Sequence, residues 1–258
     1  MAAAIVVVFD FDKTIIDVDS DNWVIDELGF TDFNQLLPTM PWNSLMDRMM
    51  KELHSDGKTM EDIAEVLKRI PIHSQVISAI KAAHDLGCEL RIVSDANMFF
   101  IETILKHLGL KDCFSEINTN PGSVDEEGRL RISPHHDFTQ SSHGCTLCPS
   151  QHVQDYVMPR KNFPAWALIS KNPLLVKAEI HEWIDGGEME RVLLQIIERI
   201  SREEISSNSA QLFSADCKFR LHRCSHGALA SSSLGYPVAT LCELAIVHLD
   251  PCCDEGFR

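Results

Sequence analysis

The chain is expected to fold as an α/β protein on a parallel sheet, with a helical segment inserted after its first strand. Three observations predict this. An apolar run, Ile5-Val6-Val7-Val8-Phe9, ends abruptly in Asp10 and Asp12. A second short β-type run, "CELRIVSDAN", ends in Ser94 and Asp95. Around them lie segments with apolar residues at helical spacing, so strands and helices alternate as parallel crossovers require.

After the first strand, residues 17 to 80 read as mostly helical. "DNWVIDELGF" begins with acids that suit a helix N-terminus and has Gly29 near its end. "WNSLMDRMMKEL" places Trp42, Leu45, Met46, Met49 and Leu53 on one helical face, with Asn43 or Ser44 as candidate caps. That Met- and Trp-rich face is read as apolar core rather than as a cofactor site. "TMEDIAEVLKRI" follows a capping-box pattern, Thr59-x-x-Asp62, and stops before Pro71. "HSQVISAIKAAHDLG" is a further amphipathic helix closed by Gly87.

The second strand leads into the helix "MFFIETILKHLG" and then "FSEINTN", a third strand. Residues 118 to 165 are loop-rich, with a hairpin expected around Gly128. Farther on, Met189, Val192, Leu193, Ile196, Ile197 and Ile200 form an apolar helical stripe. Beyond Ile200 the chain turns Ser- and Cys-rich with weak periodicity. The organisation expected is a core of residues 1–16 and 79–200, a helical cap of residues 17–78, and an atypical tail, 201–258, open to disorder.

A chain of 258 residues suffices for one large domain or a domain with an inserted cap. A formal net charge of −15 argues against a nucleic-acid surface, which needs a basic stripe. No apolar run approaches the roughly 20 residues that span a bilayer. The N-terminal run lacks a basic flank, so it is a poor signal peptide, and a cytoplasmic location is expected. Five of the nine cysteines lie after residue 216, and with no secretory signal they are expected to be reduced thiols. Composition leaves the oligomeric state open.

The acids at the strand ends carry the chemistry. Asp10 and Asp12 are two apart on an extended segment, so their side chains are expected on one face. Two such carboxylates repel unless a cation lies between them or one is protonated. Mg²⁺ suits the arrangement, since it takes one or two carboxylates together with phosphate oxygens and water. Thr14, the amides of its turn, and Ser94 at the next strand end can hold phosphate oxygens. In parallel sheets ligands gather at the carboxyl ends of strands, where Asp10, Asp12 and Ser94 all fall.

"DFDKT", followed much later by an apolar strand ending in "VSDAN", resembles the haloacid dehalogenase (HAD) superfamily of phosphatases. "FDFDKTIIDVDSDNWVIDELG", "HGCTLCP" and "DYVMPRKNFPAWALISKNPLLVKAEIHEW" are similar to its phosphoethanolamine/phosphocholine phosphatase subfamily. The plant members of that subfamily include pyrophosphatases and thiamine-monophosphate phosphatases. The resemblance covers residues 4 to 200 and implies a Rossmann-like HAD core with a helical cap. It implies that Asp10 attacks phosphorus to form an aspartyl-phosphate and that Asp12 serves as general acid and base. It also implies that Asp10 and the Asp12 carbonyl hold Mg²⁺, that Ser94 binds the phosphoryl group, and that Asp21 and Asp95 face the head group of a small phosphorylated substrate.

The chain departs from the family in two places. The Lys of an "NMCKG"-like segment and a "GDGxxD"-type strand end are absent, and "HGCTLCPS" runs almost directly into "DYVMPRK". The join falls between Pro149 and Asp155, and a helix and a sheet strand are expected to be missing with it, leaving the core incomplete. Groups of that electrostatic kind are often worth about 10²–10³ in rate each. The alternative to an active phosphatase is therefore an impaired relative that binds phosphate compounds or a partner. His143, Cys145, Cys148 and His152 have a spacing compatible with zinc, but no second pair follows clearly, and loop thiols are the plainer reading.

Overall fold

A computed structural model describes residues 4–29, 40–135, 156–174, 176–213 and 244–249. The expected join and the His143–His152 cluster lie outside these residues.

Strand β1 (Ala4–Phe9) forms from a β-branched run and buries Val7 and Phe9 completely. Among the described residues the helices that follow are α1 (Ser20–Glu27), α2 (Trp42–Ser55) and α3 (Met60–Leu67), and then α4 (Ser74–Asp85). The capping box on α3 is complete, with the Thr59 side chain and that of Asp62 each bonded to the other's backbone amide. Neither Asn43 nor Ser44 caps α2. Pro41 stands at that position, two residues before Asn43, and the Asn43 amide is used elsewhere.

Strand β2 (Glu89–Asn97) lies parallel to β1 and leads into α5 (Met98–Leu108), which Gly109 ends in the left-handed region. Strand β3 (Phe114–Asn120) pairs parallel with β2. The expected hairpin is present as β4 (Gly122–Val124) and β5 (Leu130–Ile132), antiparallel around Gly128. After β6 (Tyr156–Val157) come α6 (Pro164–Lys171), β7 (Glu179–Ile180) and the long α7 (Gly186–Phe213). The stripe from Met189 to Ile200 is buried, and α7 packs along α4. Gly186 permits that approach: a Cβ there would sit 2.7 Å from the Cβ of His73.

The main sheet has the order β3-β2-β1-β8-β6-β7, in which β8 is Leu244–Leu249. A sheet short of strands was expected, and the structure qualifies this. Strands β1 to β3 are parallel, β6 and β7 are parallel, and the place between the two groups is filled by β8, antiparallel to both β1 and β6. The order is that of a parallel α/β core in which one central strand is reversed and drawn from the end of the sequence.

Two polar links and one aromatic residue fix the inserted helices. Asp47 of α2 accepts both arms of Arg131 on β5, at 2.7 and 2.9 Å, and the amide of Ile132 at 3.2 Å. These bonds hold its carboxyl down near 2 although partial burial opposes them. Trp23 of α1 donates to the carbonyl of Val66 on α3 at 3.1 Å. Among the described residues no helix is long and apolar enough to cross a membrane.

Candidate active site

The site gathers at the carboxyl ends of β1, β2 and β3. Strand β1 stops at Phe9, so Asp10 opens a tight turn rather than continuing the pleat. The amides of Thr14, Ile15 and Ile16 all return to the carbonyl of Phe11, and Lys13 adopts φ +60°, uncommon for a residue with a Cβ. Asp10 accepts the amide of Phe11 at 2.7 Å and the hydroxyl of Thr14 at 3.4 Å.

Asp12 lies within the turn itself. Asp12 is held by Ser20, whose amide and hydroxyl donate to its two oxygens at 3.1 and 3.2 Å. The carboxylates that crowd Asp12 are Asp21 and Asp19, and burial together with their charge pushes its carboxyl well above the usual range. Asp19 caps α1 through the amide of Asn22 and meets the Lys13 ammonium at 3.4 Å.

Asp21 is buried. It accepts Trp42 Nε1 at 2.6 Å and Asn97 Nδ2 at 3.4 Å. Burial pushes its carboxyl up to about 7, with the charges of Asp19 and Asp95 adding to it and the Trp42 bond opposing it. Asp95 is raised by burial and by Asp19, against its own backbone amide and Lys13. Ser94 Oγ accepts the amide of Ala96 at 3.2 Å. The turn and the end of β2 thus bring Asp12, Asp21 and Asp95 into one acidic neighbourhood.

Arg160 follows β6 and reaches the same turn. It donates to the carbonyl of Lys13 at 2.7 Å and to Asp17 at 2.9 Å, and its guanidinium lies over the rings of Phe163 and Trp183. Lys161 is directed to Glu182 at 3.8 Å. The structure seats Arg160 on the turn and Lys161 away from it.

Ser20, Trp42, Asn97 and Asn120 were not anticipated as parts of the site. Ser20 lies within "IIDVDSDNW" and Asn97 ends "VSDAN", but neither was singled out for a role. Asn120 offered one sequence signal, an amide residue at the carboxyl end of a strand in "FSEINTN".

Among the described residues no three of His, Cys, Asp and Glu form a set that could hold a metal ion. The resemblance to the HAD phosphatases implies two protein oxygens for Mg²⁺, from the Asp10 carboxylate and the Asp12 carbonyl. That fits an Mg²⁺ ligated mainly by water and substrate phosphate, which this ion accepts, rather than one enclosed by protein.

A family model described as Putative Phosphatase matches the chain in two pieces, residues 5–154 and 150–197. The pieces meet where the sequence places the join. Inorganic pyrophosphatase 2 of Arabidopsis thaliana is 59% identical over 255 residues, covering 83% of this chain and 91% of that protein. The Thiamine phosphate phosphatase-like protein of the same plant is 48% identical, covering 79% of this chain and all of that one. Pyridoxal phosphate phosphatase PHOSPHO2 of Mus musculus is 29% identical over 161 residues, covering 60% of this chain and 64% of that protein. The chain is a HAD-type phosphatase by family. It belongs to the Putative Phosphatase family, and is similar to the plant pyrophosphatase and thiamine phosphate phosphatase-like proteins.

Proposed function

We propose that this chain hydrolyses a small phosphomonoester or pyrophosphate with Mg²⁺, through an aspartyl-phosphate on Asp10. The observation that carries this reading is the place of Asp10. It stands at the carboxyl end of a central parallel strand, beside the Thr14 hydroxyl and a backbone turn, in a chain of a phosphatase family. An Asp10 oxygen attacks phosphorus as the bond to the leaving oxygen breaks, and Asp12 supplies that oxygen's proton. Asp12 then takes a proton from water, which attacks the aspartyl-phosphate and releases orthophosphate. Thr14 and Ser94 hold the phosphoryl oxygens, and Asp21 and Asp95 face the rest of the substrate from beneath the helical cap of residues 17–78. Asp10 and the Asp12 carbonyl would hold Mg²⁺, which would supply neutralising charge. We place the protein in the cytoplasm, with no nucleic-acid or membrane partner.

A second reading, phosphate binding with little turnover, is favoured by one observation. The place beside β1 is filled by the reversed β8. An antiparallel strand directs its carboxyl end away from Asp10, so it does not repeat the strand-end geometry of β1 and β2. Purified protein assayed with p-nitrophenyl phosphate, phosphocholine and pyrophosphate, with and without Mg²⁺, separates the two. Mg²⁺-dependent release of phosphate that Asp10→Asn abolishes supports the first. Absent activity, or activity that survives Asp10→Asn, refutes it.

A further inference from the structure

The register between β2 and β3 breaks between Val93 and Asn97, so residues 94–96 bulge out of the ladder just where Ser94 must be presented. A bulge leaves backbone groups without their strand partners, and buried ones must be satisfied elsewhere. Asn120, at the end of β3 and buried, supplies what the ladder omits. Its Nδ2 donates to two consecutive carbonyls, Asp95 at 2.6 Å and Ala96 at 2.9 Å. Its Oδ1 accepts the amide of His135 at 3.0 Å and Asn43 Nδ2, from α2, at 3.2 Å. Both amide hydrogens and both lone pairs are thereby used. The backbone partners also fix which way the amide faces, since a carbonyl can only accept and an N–H only donate.

The peptide between Asp95 and Ala96 is trans, so its carbonyl and its N–H point in opposite directions. Asn120 holds the carbonyl, and the N–H is directed to Ser94 Oγ at 3.2 Å. With that oxygen already accepting a bond, the Ser94 hydroxyl hydrogen is left to be donated outward.

We propose that Asn120 is a positioning residue for phosphoryl binding: it sets the Asp95–Ala96 peptide, and through it aims the Ser94 hydroxyl at the phosphoryl oxygen. The inference rests on the reading of Ser94 as a phosphoryl ligand.

A double-mutant cycle on the full chain tests it, with inorganic phosphate as the probe and isothermal titration as the readout. Asn120→Ala and Ser94→Ala should each weaken phosphate binding by about tenfold, the scale of one hydrogen bond to a charged group. The double variant should bind no worse than Ser94→Ala alone, because Asn120 acts only through that hydroxyl. A merely structural role would give additive losses. Additive losses, or wild-type affinity in Asn120→Ala, would overturn the role of Asn120. A wild-type chain that binds no phosphate would instead remove the phosphoryl site itself, and this inference with it. Should Asn120→Ala lose its cooperative melt, Asn120→Leu carries the same cycle, since it keeps a branched side chain of comparable shape while removing both donors and adding no charge.

Discussion

Trp42 Nε1 donates to Asp21 Oδ2 across 2.6 Å, so the first residue of α2 rests on a carboxyl that titrates near neutrality. The groups facing it are Asn97, which donates, and the like charges of Asp19 and Asp95. The unfolded chain releases the Asp21 proton near its ordinary value of 3.8, and the folded chain keeps it up to about 7. Between those values the native state binds more protons, so this contribution to stability is complete below about pH 4 and is lost as pH rises through 7. The slope it adds approaches about 1.4 kcal/mol per pH unit. Asp12 and Asp95, also raised, act in the same direction. Urea titrations from pH 4.5 to 7.5 should show stability falling with pH, and Asp21→Asn should flatten that fall. An unchanged slope in the variant would show that Asp21 is not the titrating group.

The opposite sign is expected at the hairpin. Asp47 is held near 2 by Arg131 and by Lys51, so its contribution is present above pH 4 and is lost as pH drops through 2. With the pair partly solvated, Asp47→Asn should cost about 1–2 kcal/mol at pH 7. The difference from wild type should shrink steadily between pH 4 and 2. A constant gap would assign the effect to packing rather than charge.

Arg160→Ala removes the bonds to Lys13 and Asp17 and the contacts with Phe163 and Trp183 at one stroke. A loss of about 2–3 kcal/mol is expected, with faster hydrogen exchange in the peptide spanning residues 11–18. Arg160→Lys should recover less than half, because an ammonium cannot fork between a carbonyl and a carboxylate. Full recovery by lysine would reduce the role of Arg160 to charge alone.

Ile246 pairs with Val7 on one side and Tyr156 on the other. Proline at that position removes a ladder donor in the middle of a sheet, and a cost of 3 kcal/mol or more is expected. Opening this place also exposes the edges of β1 and β6, so self-association should rise with the loss of stability. Sedimentation and thermal melts measure the two effects. A variant that melts and sediments as wild type would show β8 to be dispensable.

Where side-chain period and cap chemistry decide the outcome, the sequence was legible. The runs around Val7 and Ile92, the Thr59 box, the Gly87 and Gly109 ends and the Met189–Ile200 stripe all express local rules. The position of β8 expresses none. "LAIVHL" is a brief apolar run in a Ser- and Cys-rich stretch, and what places it is a gap in the sheet hundreds of backbone bonds away. The same holds within the site. Asp10 was legible because it directly follows the apolar run of β1, and Ser94 because it closes the apolar run of β2, whereas the partnership of Asp12 with Ser20, of Asp21 with Trp42 and of Asp95 with Asn120 is fixed by a turn, a cap helix and a bulge.

Ala4 and Leu249 are direct partners, at the end of the β1–β8 pair remote from Asp10. Force applied to the chain through these two residues would load their ladder one hydrogen bond at a time, opening it as a zipper. The parallel β1–β2 pair, pulled along its length from opposite ends, would bear load on all its bonds at once. The strand that closes the sheet is therefore its mechanically soft element: under tension it should peel away first and leave the β1–β3 body folded behind it.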